Sequence, residues 1–163
     1  MDKLFSPWRS QYIESFAHAK DSPSQCIFCS AIADANDENN LIVCRGDTCF
    51  VIMNLYPYNS GHLMIVPNRH IPSPAELLES ESRELFALIQ KMIEVLQIVS
   101  HPDGFNIGAN IGRIAGAGID QHIHFHLVPR WSGDTNFMPV LADTKLISED
   151  MKDLYKKLRS RIE

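Results

Sequence analysis

The sequence predicts an α+β fold, a mostly antiparallel sheet of about five strands with one long helix packed on a face. Three observations predict it. Residues 41–43 and 48–53 are short apolar runs on either side of Arg45-Gly46-Asp47, a hairpin signal. Leu85, Phe86, Ile89, Met92, Ile93, Leu96 and Val99 recur at helical spacing and make one apolar stripe. Gln121-His122-Ile123-His124-Phe125-His126-Leu127-Val128-Pro129-Arg130 alternates imidazole with apolar side chains. An extended strand sends successive side chains to opposite faces, so His122, His124 and His126 share one face and Ile123, Phe125 and Leu127 the other.

The remaining elements follow in order. Residues 1–25 read as an N-terminal arm with anchoring aromatics, Trp8 and Tyr12 among them. Cys26-Ile27-Phe28-Cys29 reads as a metal-ligand pair or as buried thiols at a tight turn, and residues 34–40 as a polar turn. Tyr56-Pro57-Tyr58-Asn59-Ser60-Gly61 breaks the sheet, and residues 62–67 resume it until Pro67 ends the strand. Ser73-Pro74-Ala75-Glu76 supplies an N-cap serine, a proline at the first helical position and a capping-box glutamate for the long helix. Ser80-Glu81-Ser82 is a candidate interruption of it. His101-Pro102-Asp103-Gly104 stops the helix, residues 105–110 read as a strand, and residues 111–120 form a glycine-rich loop. A terminal helix is expected from about Ser148.

Composition bounds the function. The 163 residues, 45% hydrophobic and 21% charged, suit a single domain with a real core. That domain is expected to span 1–163: arm 1–25, core 26–131, C-terminal loop and helix 132–163. A formal charge of −5 argues against a broad nucleic-acid or acidic-membrane surface, because both need a basic field. A small anionic ligand needs only a local set of donors. With no basic-then-apolar leader pattern and no bilayer-length apolar run, the expectation is a soluble, cytoplasmic protein.

Stacked imidazoles offer metal ligation, or nucleophilic and acid–base work near neutral pH. The loop Gly112-Arg113-Ile114-Ala115-Gly116-Ala117-Gly118 ahead of them could turn backbone N–H groups toward a phosphate, although glycines serve any tight turn. Taken alone, His62 and His70 read as solvent-satisfied residues at a strand edge and in a loop. Cys26 and Cys29 have metal-ligand spacing, with a pair of buried thiols as the other reading; Cys44 and Cys49 read as buried, inert thiols.

The histidine strand resembles the histidine triad (HIT) family, His-φ-His-φ-His-φ-φ with φ apolar. Ser60-Gly61-His62-Leu63-Met64-Ile65-Val66-Pro67 is similar to the family's upstream strand. Pro129-Arg130-Trp131-Ser132-Gly133-Asp134-Thr135-Asn136-Phe137-Met138-Pro139 is similar to a bacterial branch containing diadenosine tetraphosphate phosphorylases and hydrolases.

The resemblance implies that His124 is the nucleophile on a nucleotide α-phosphate, forming a nucleotidyl-histidine that water or inorganic phosphate then attacks. It implies that His126 and His62 donate hydrogen bonds to phosphoryl oxygens, and that Asn54 meets a ribose. Asn110, Gly116, Gly118 and Gln121 are the other expected substrate contacts. Cys26, Cys29, His70 and His122 match a closed zinc site, structural rather than catalytic.

Dinucleoside polyphosphates are the substrate this implies, with a nucleoside phosphoramidase as the runner-up. A binding module whose histidines only ligate, or an interaction protein using Trp8-Arg9 and residues 131–139, stand as further alternatives. The family resemblance also implies a homodimer, expected here to pair across helix and C-terminal elements. One departure is Ile119, where many members carry Ser or Thr three residues before the first histidine.

Overall fold

A computed structural model describes residues 26–135, 147 and 149–162. The arm 1–25 and residues 136–139 of the partner-surface segment lie outside them. Five strands form one antiparallel sheet: β1 (Ile42–Arg45), β2 (Cys49–Met53), β3 (Leu63–Pro67), β4 (Gly104–Gly108) and β5 (Phe125–Arg130). Their spatial order is β1-β2-β3-β5-β4, so the last strand in sequence inserts between β3 and β4. The expected α+β architecture is the observed one.

The helices are α1 (Ile27–Ala33), α2 (Asp37–Asn40), α3 (Glu79–Ser100) and α4 (Met151–Ile162). One sheet face, with Val51, Met53, Leu63, Ile65 and Leu127, packs against α3 and α4. The opposite face carries Ile42, Phe50, Ile52, Met64 and Val66 and packs against Cys26, Phe28 and Ala31 of the α1 segment. Met64 pairs with His126 across β3 and β5, which puts His126 on this second face while Phe125 and Leu127 turn to the first.

The long helix differs from its sequence pattern in two ways. Ser73 Oγ does accept from the Ala75 N–H (3.2 Å), but it caps only a 3₁₀ turn over Pro74–Glu76. The α-helix starts afresh at Glu79, where the Glu81 carboxylate accepts from the Leu78 N–H (2.8 Å) and the residues 80–82 form its first turn. The buried stripe is Leu85, Leu88, Ile89, Met92, Val95 and Leu96, whereas Phe86 is 61% exposed. Phe86 lies one position off the stripe, and only the sheet's placement decides which edge of a broad apolar arc is covered.

Two carboxylates of α3 brace the sheet. Glu84 accepts from the N–H groups of Asp47 (2.8 Å), Thr48 (2.5 Å) and Cys49 (2.9 Å) and from the Thr48 hydroxyl (2.5 Å). A Cβ on Gly46 would fall on that same carboxylate, so a side chain at this turn would push the brace aside. Glu81 pairs bidentately with Arg69 at 2.6 and 2.7 Å. At the other end of the chain, Asp150 accepts from the N–H groups of Lys152 and Asp153 at 2.9 and 3.0 Å and caps α4.

Candidate functional site

The site is assembled on the second sheet face from β3, β5, α1 and the two loops between them. Gly61 has φ +72° and its missing Cβ leaves room for Leu96 and Pro129 at 3.1 and 3.2 Å, a left-handed, close-packed corner that delivers His62 into the interior. His62 is 1% exposed, so the solvent-satisfied edge reading is overturned by burial. Its Nδ1 accepts from the Tyr58 N–H (3.0 Å) and has Asn54 Nδ2 at 3.2 Å. A ring nitrogen that accepts from a backbone amide leaves the proton on the other, so His62 Nε2–H donates to His126 Nδ1 (2.9 Å). By the same logic His126 carries its own proton on Nε2. One backbone amide thus sets the tautomers of two histidines.

His122 and His124 precede the hydrogen-bonded part of β5 and are held by other means. The Ile123 N–H donates to Ile71 O (2.6 Å), tying this segment to the loop after β3. His122 is fully buried, and its Nε2–H donates to Pro67 O (2.8 Å). His124 is 5% exposed, and its Nδ1–H donates to His122 O (2.9 Å), which leaves the lone pair on Nε2. Burial pushes the pKa of His124 down and that of His122 down to about 4, so both are neutral near pH 7. The His124 ring lies 5.1 Å from Phe28 of α1 and 5.0 Å from His126, centroid to centroid.

Behind His122 is the cluster that the family resemblance implied, with His70 drawn in from the loop after β3. Cys26, Cys29, His70 and His122 bring one ligand atom each to within 4.8 Å of one another. Cys26 Sγ and His122 Nδ1 are 3.3 Å apart, as are Cys29 Sγ and His70 Nδ1, with Cys29 Sγ to His122 Nδ1 at 3.6 Å. Tetrahedral zinc with N and S ligands spaces its ligand atoms about 3.3–3.8 Å apart. The donor set and its spacing fit, so these four residues could hold a metal ion. The Pro67 carbonyl on Nε2 turns the His122 Nδ1 lone pair into the cluster, the usual arrangement of a ligating histidine. His124 is not in the cluster.

The Cys-x-x-Cys pair does not sit in a tight turn. Cys26 is the N-cap of α1 and Cys29 lies in its first turn. The carbonyls at the other end of that helix are capped by Arg45 of β1, which donates to Ile32 O (2.7 Å), Asp34 O (2.8 Å) and Ala31 O (3.4 Å). A seven-residue helix with no periodic signal was invisible in the sequence; the only hint was a cysteine pair needing a rigid frame.

Over β1–β3 the second face is covered by α1. Over β5 and β4 it opens into a cleft of about 620 Å³, whose lining includes His126, Val128, Arg130, Asn106, Asn110 and Gly116. Of the expected substrate contacts, Asn110 and Gly116 line it; Asn54, Gly118 and Gln121 do not, and neither do His62 and His124. Gly118 and Gln121 are exposed, whereas Asn54 is half-buried against His62. Sequence reading missed Asn59, Asn106 and Arg130 as cleft residues. Strand alternation puts Arg130 on the face of His126, but nothing in the motif marks that face as the wall of a cleft.

A family model, the HIT domain, matches residues 36–133. The chain is 40% identical over 158 residues to an AP-4-A phosphorylase of Mycobacterium tuberculosis, covering 94% of this chain and 80% of that one. Among solved structures, a hypothetical histidine triad nucleotide-binding protein of Sulfolobus tokodaii superposes with a TM-score of 0.68 at 27% identity, covering 84% of this chain and 91% of that one. A Zn-bound histidine triad family protein of Mycobacterium smegmatis superposes with a TM-score of 0.67 at 23% identity, covering 85% and 94%, a likeness of fold. The chain therefore belongs to the histidine triad family.

Proposed function

We propose that the protein is a nucleotidyl-transferring enzyme of dinucleoside polyphosphates, with His124 as nucleophile and inorganic phosphate as the favoured acceptor. The observation that carries the reading is the hydrogen bond from His124 Nδ1–H to the His122 carbonyl. It leaves a neutral imidazole with its lone pair on Nε2, which is the form a phosphorus electrophile requires. The 40% identity to an AP-4-A phosphorylase supports phosphate over water.

The chemistry balances. The Nε2 lone pair forms a P–N bond, the bridging P–O bond breaks, and its electron pair leaves on the departing phosphate oxygen. His126 Nε2–H donates to oxygen at the reacting phosphorus as charge builds there. A phosphate oxygen then forms a new P–O bond, the P–N bond breaks, and neutral His124 returns. His62 is a positioning residue in this scheme, fixing the tautomer of His126 from behind.

Cys26, Cys29, His70 and His122 are proposed to hold zinc. Bound there, zinc would supply structural cross-linking rather than reactivity, since four protein ligands leave no open position. The chain itself would be a single domain and a homodimer in the cytoplasm. Support for pairing comes from β4: among the described residues its outer edge has no strand partner, and Ile107 on it is 50% exposed. No helix among the described residues is long and apolar enough to cross a membrane.

Mass spectrometry of protein quenched during turnover of diadenosine tetraphosphate tests the reading. The expected result is a nucleotidyl adduct on His124, with ADP formed when phosphate is present. Loss of the adduct from wild type, or its persistence in His124→Ala, overturns it.

A further inference from the structure

Among the described residues that line the cleft, Arg130 is the one Lys or Arg. His126, Val128 and Arg130 stand at i, i+2 and i+4 along β5 and so share a face. At about 3.3 Å per residue, the Arg130 backbone lies about 13 Å from that of His126. Asn106 of β4 stands opposite Val128, between the two.

The guanidinium is held in place. Its Nε–H donates to Asp134 Oδ2 (2.5 Å), one terminal N–H to Asp134 Oδ1 (3.0 Å) and another to Asn106 Oδ1 (2.7 Å). These bonds use three of its five N–H donors. Asp134 is fixed in turn by Asn59 Nδ2 (2.6 Å) and the Trp131 N–H (3.3 Å). The Asp134 side chain is 8% exposed and that of Arg130 is 45% exposed, so the carboxylate is the inner partner and the cation the outer one. An ion pair serving only the fold would not need to present its cation along the wall of the substrate cleft.

We infer that Arg130, braced by Asp134 and Asn106, is a specificity residue that binds the distal phosphates of the leaving polyphosphate. It favours chains of four or more phosphates over three. The inference rests on the reading of His126 as the reacting end of the cleft. With the α-phosphate there, each added phosphate carries charge along β5 toward the guanidinium, and a short chain stops before it.

Two measurements test this on the full chain. Calorimetry with inorganic tripolyphosphate and pyrophosphate compares wild type with Arg130→Gln, Arg130→Lys and Asn106→Asp. Turnover of diadenosine tri-, tetra- and pentaphosphate gives kcat/KM for the same set. Wild type is expected to prefer tripolyphosphate. Arg130→Gln and Asn106→Asp are expected to weaken it about tenfold, and to lower the tetraphosphate-to-triphosphate ratio of kcat/KM by a similar factor. Arg130→Lys should fall between.

Equal losses at every chain length, or unchanged tripolyphosphate affinity in a variant that melts like wild type, would overturn the inference. Asn106→Asp keeps the arginine and lies on an exposed strand, so it decides the matter should Arg130→Gln fail to fold. Turnover without Arg130 dependence sinks this inference alone. Arg130-dependent tripolyphosphate binding without turnover of any dinucleotide sinks the proposed reaction and leaves the anion site standing.

Discussion

At the scale of single residues, the proposed reaction depends on which ring nitrogen of each histidine carries a proton. His124 and His122 both donate to main-chain carbonyls, and His62 accepts from a main-chain amide. Backbone groups cannot change roles, so each imidazole is locked into one tautomer. His124→Ala is expected to abolish the covalent adduct and turnover. His126→Ala, which removes a donor but keeps the nucleophile, should cost roughly 10²–10³ in kcat. Single-turnover kinetics separates the two, because adduct still forms slowly in the second variant.

Glu84 supplies a stability test at the same scale. Burial pushes its pKa up, but the hydroxyl and backbone donors of Thr48, with those of Asp47 and Cys49, outweigh it and leave the carboxyl below its ordinary 4.5. The Arg69 guanidinium lowers Glu81 similarly. A carboxyl lowered by folding stabilises fully above its unfolded pKa, and the contribution is lost as pH falls through the lower, folded value. Glu84→Gln should therefore cost about 2 kcal/mol at pH 7. It should also flatten the fall in Tm as pH drops below about 4.5. An acid limb as steep as that of wild type would contradict the assignment.

Among the elements, α1 is the one whose position depends most on distant residues. Seven residues make a marginal helix in isolation. Here α1 is pinned at one end by Arg45 and at the other by the Cys/His cluster, and Phe28 between them lies against His124. Metal bound by these four residues would tie the α1 segment to the reactive strand. Chelation, or Cys26→Ser, is expected to destabilise by about 3 kcal/mol, roughly 10 °C in Tm for a chain of this size. Differential scanning calorimetry with and without chelator checks this, and an unchanged Tm would remove the metal proposal. The helix was unreadable beforehand because its signal is an anchoring pattern, not a periodicity.

For the molecule as a whole, the two sheet edges are treated differently. At β1, Tyr155 and Arg159 of α4 donate to the carbonyls of Ile42 (3.2 Å) and Val43 (3.3 Å). At β4 nothing comparable is present among the described residues, and Ile107 and Ile111 are half exposed. A strand edge with apolar neighbours is a pairing surface unless something blocks it. Sedimentation at micromolar concentration is expected to give twice the chain mass, and Ile107→Asp to give the monomer. A wild-type monomer would end the homodimer proposal.

The sequence by itself determined the sheet, the long helix, the alternation that turns Phe125 and Leu127 away from His126, and the Cys26-x-x-Cys29 spacing; His70 and His122 joined that pair only through resemblance to the family. The sheet, helix, alternation and cysteine pair rest on periods of 2 and 3.6 residues and on ligand spacing, which are local properties of the chain. The tertiary structure alone decided that His62 stands behind His126, that Phe86 is exposed, and that the long helix starts at Glu79. It also brought Asn106 of β4 against Arg130. Each of those depends on which residues a strand or helix meets across space, and no spacing along one chain encodes that. Pro129 shows the difference plainly: inside a strand it reads as a breaker, yet it is tolerated in β5. There it lies beyond the first residue of β3, Leu63, which pairs with Leu127, and Asn59 Nδ2 donates to the Pro129 carbonyl (3.0 Å).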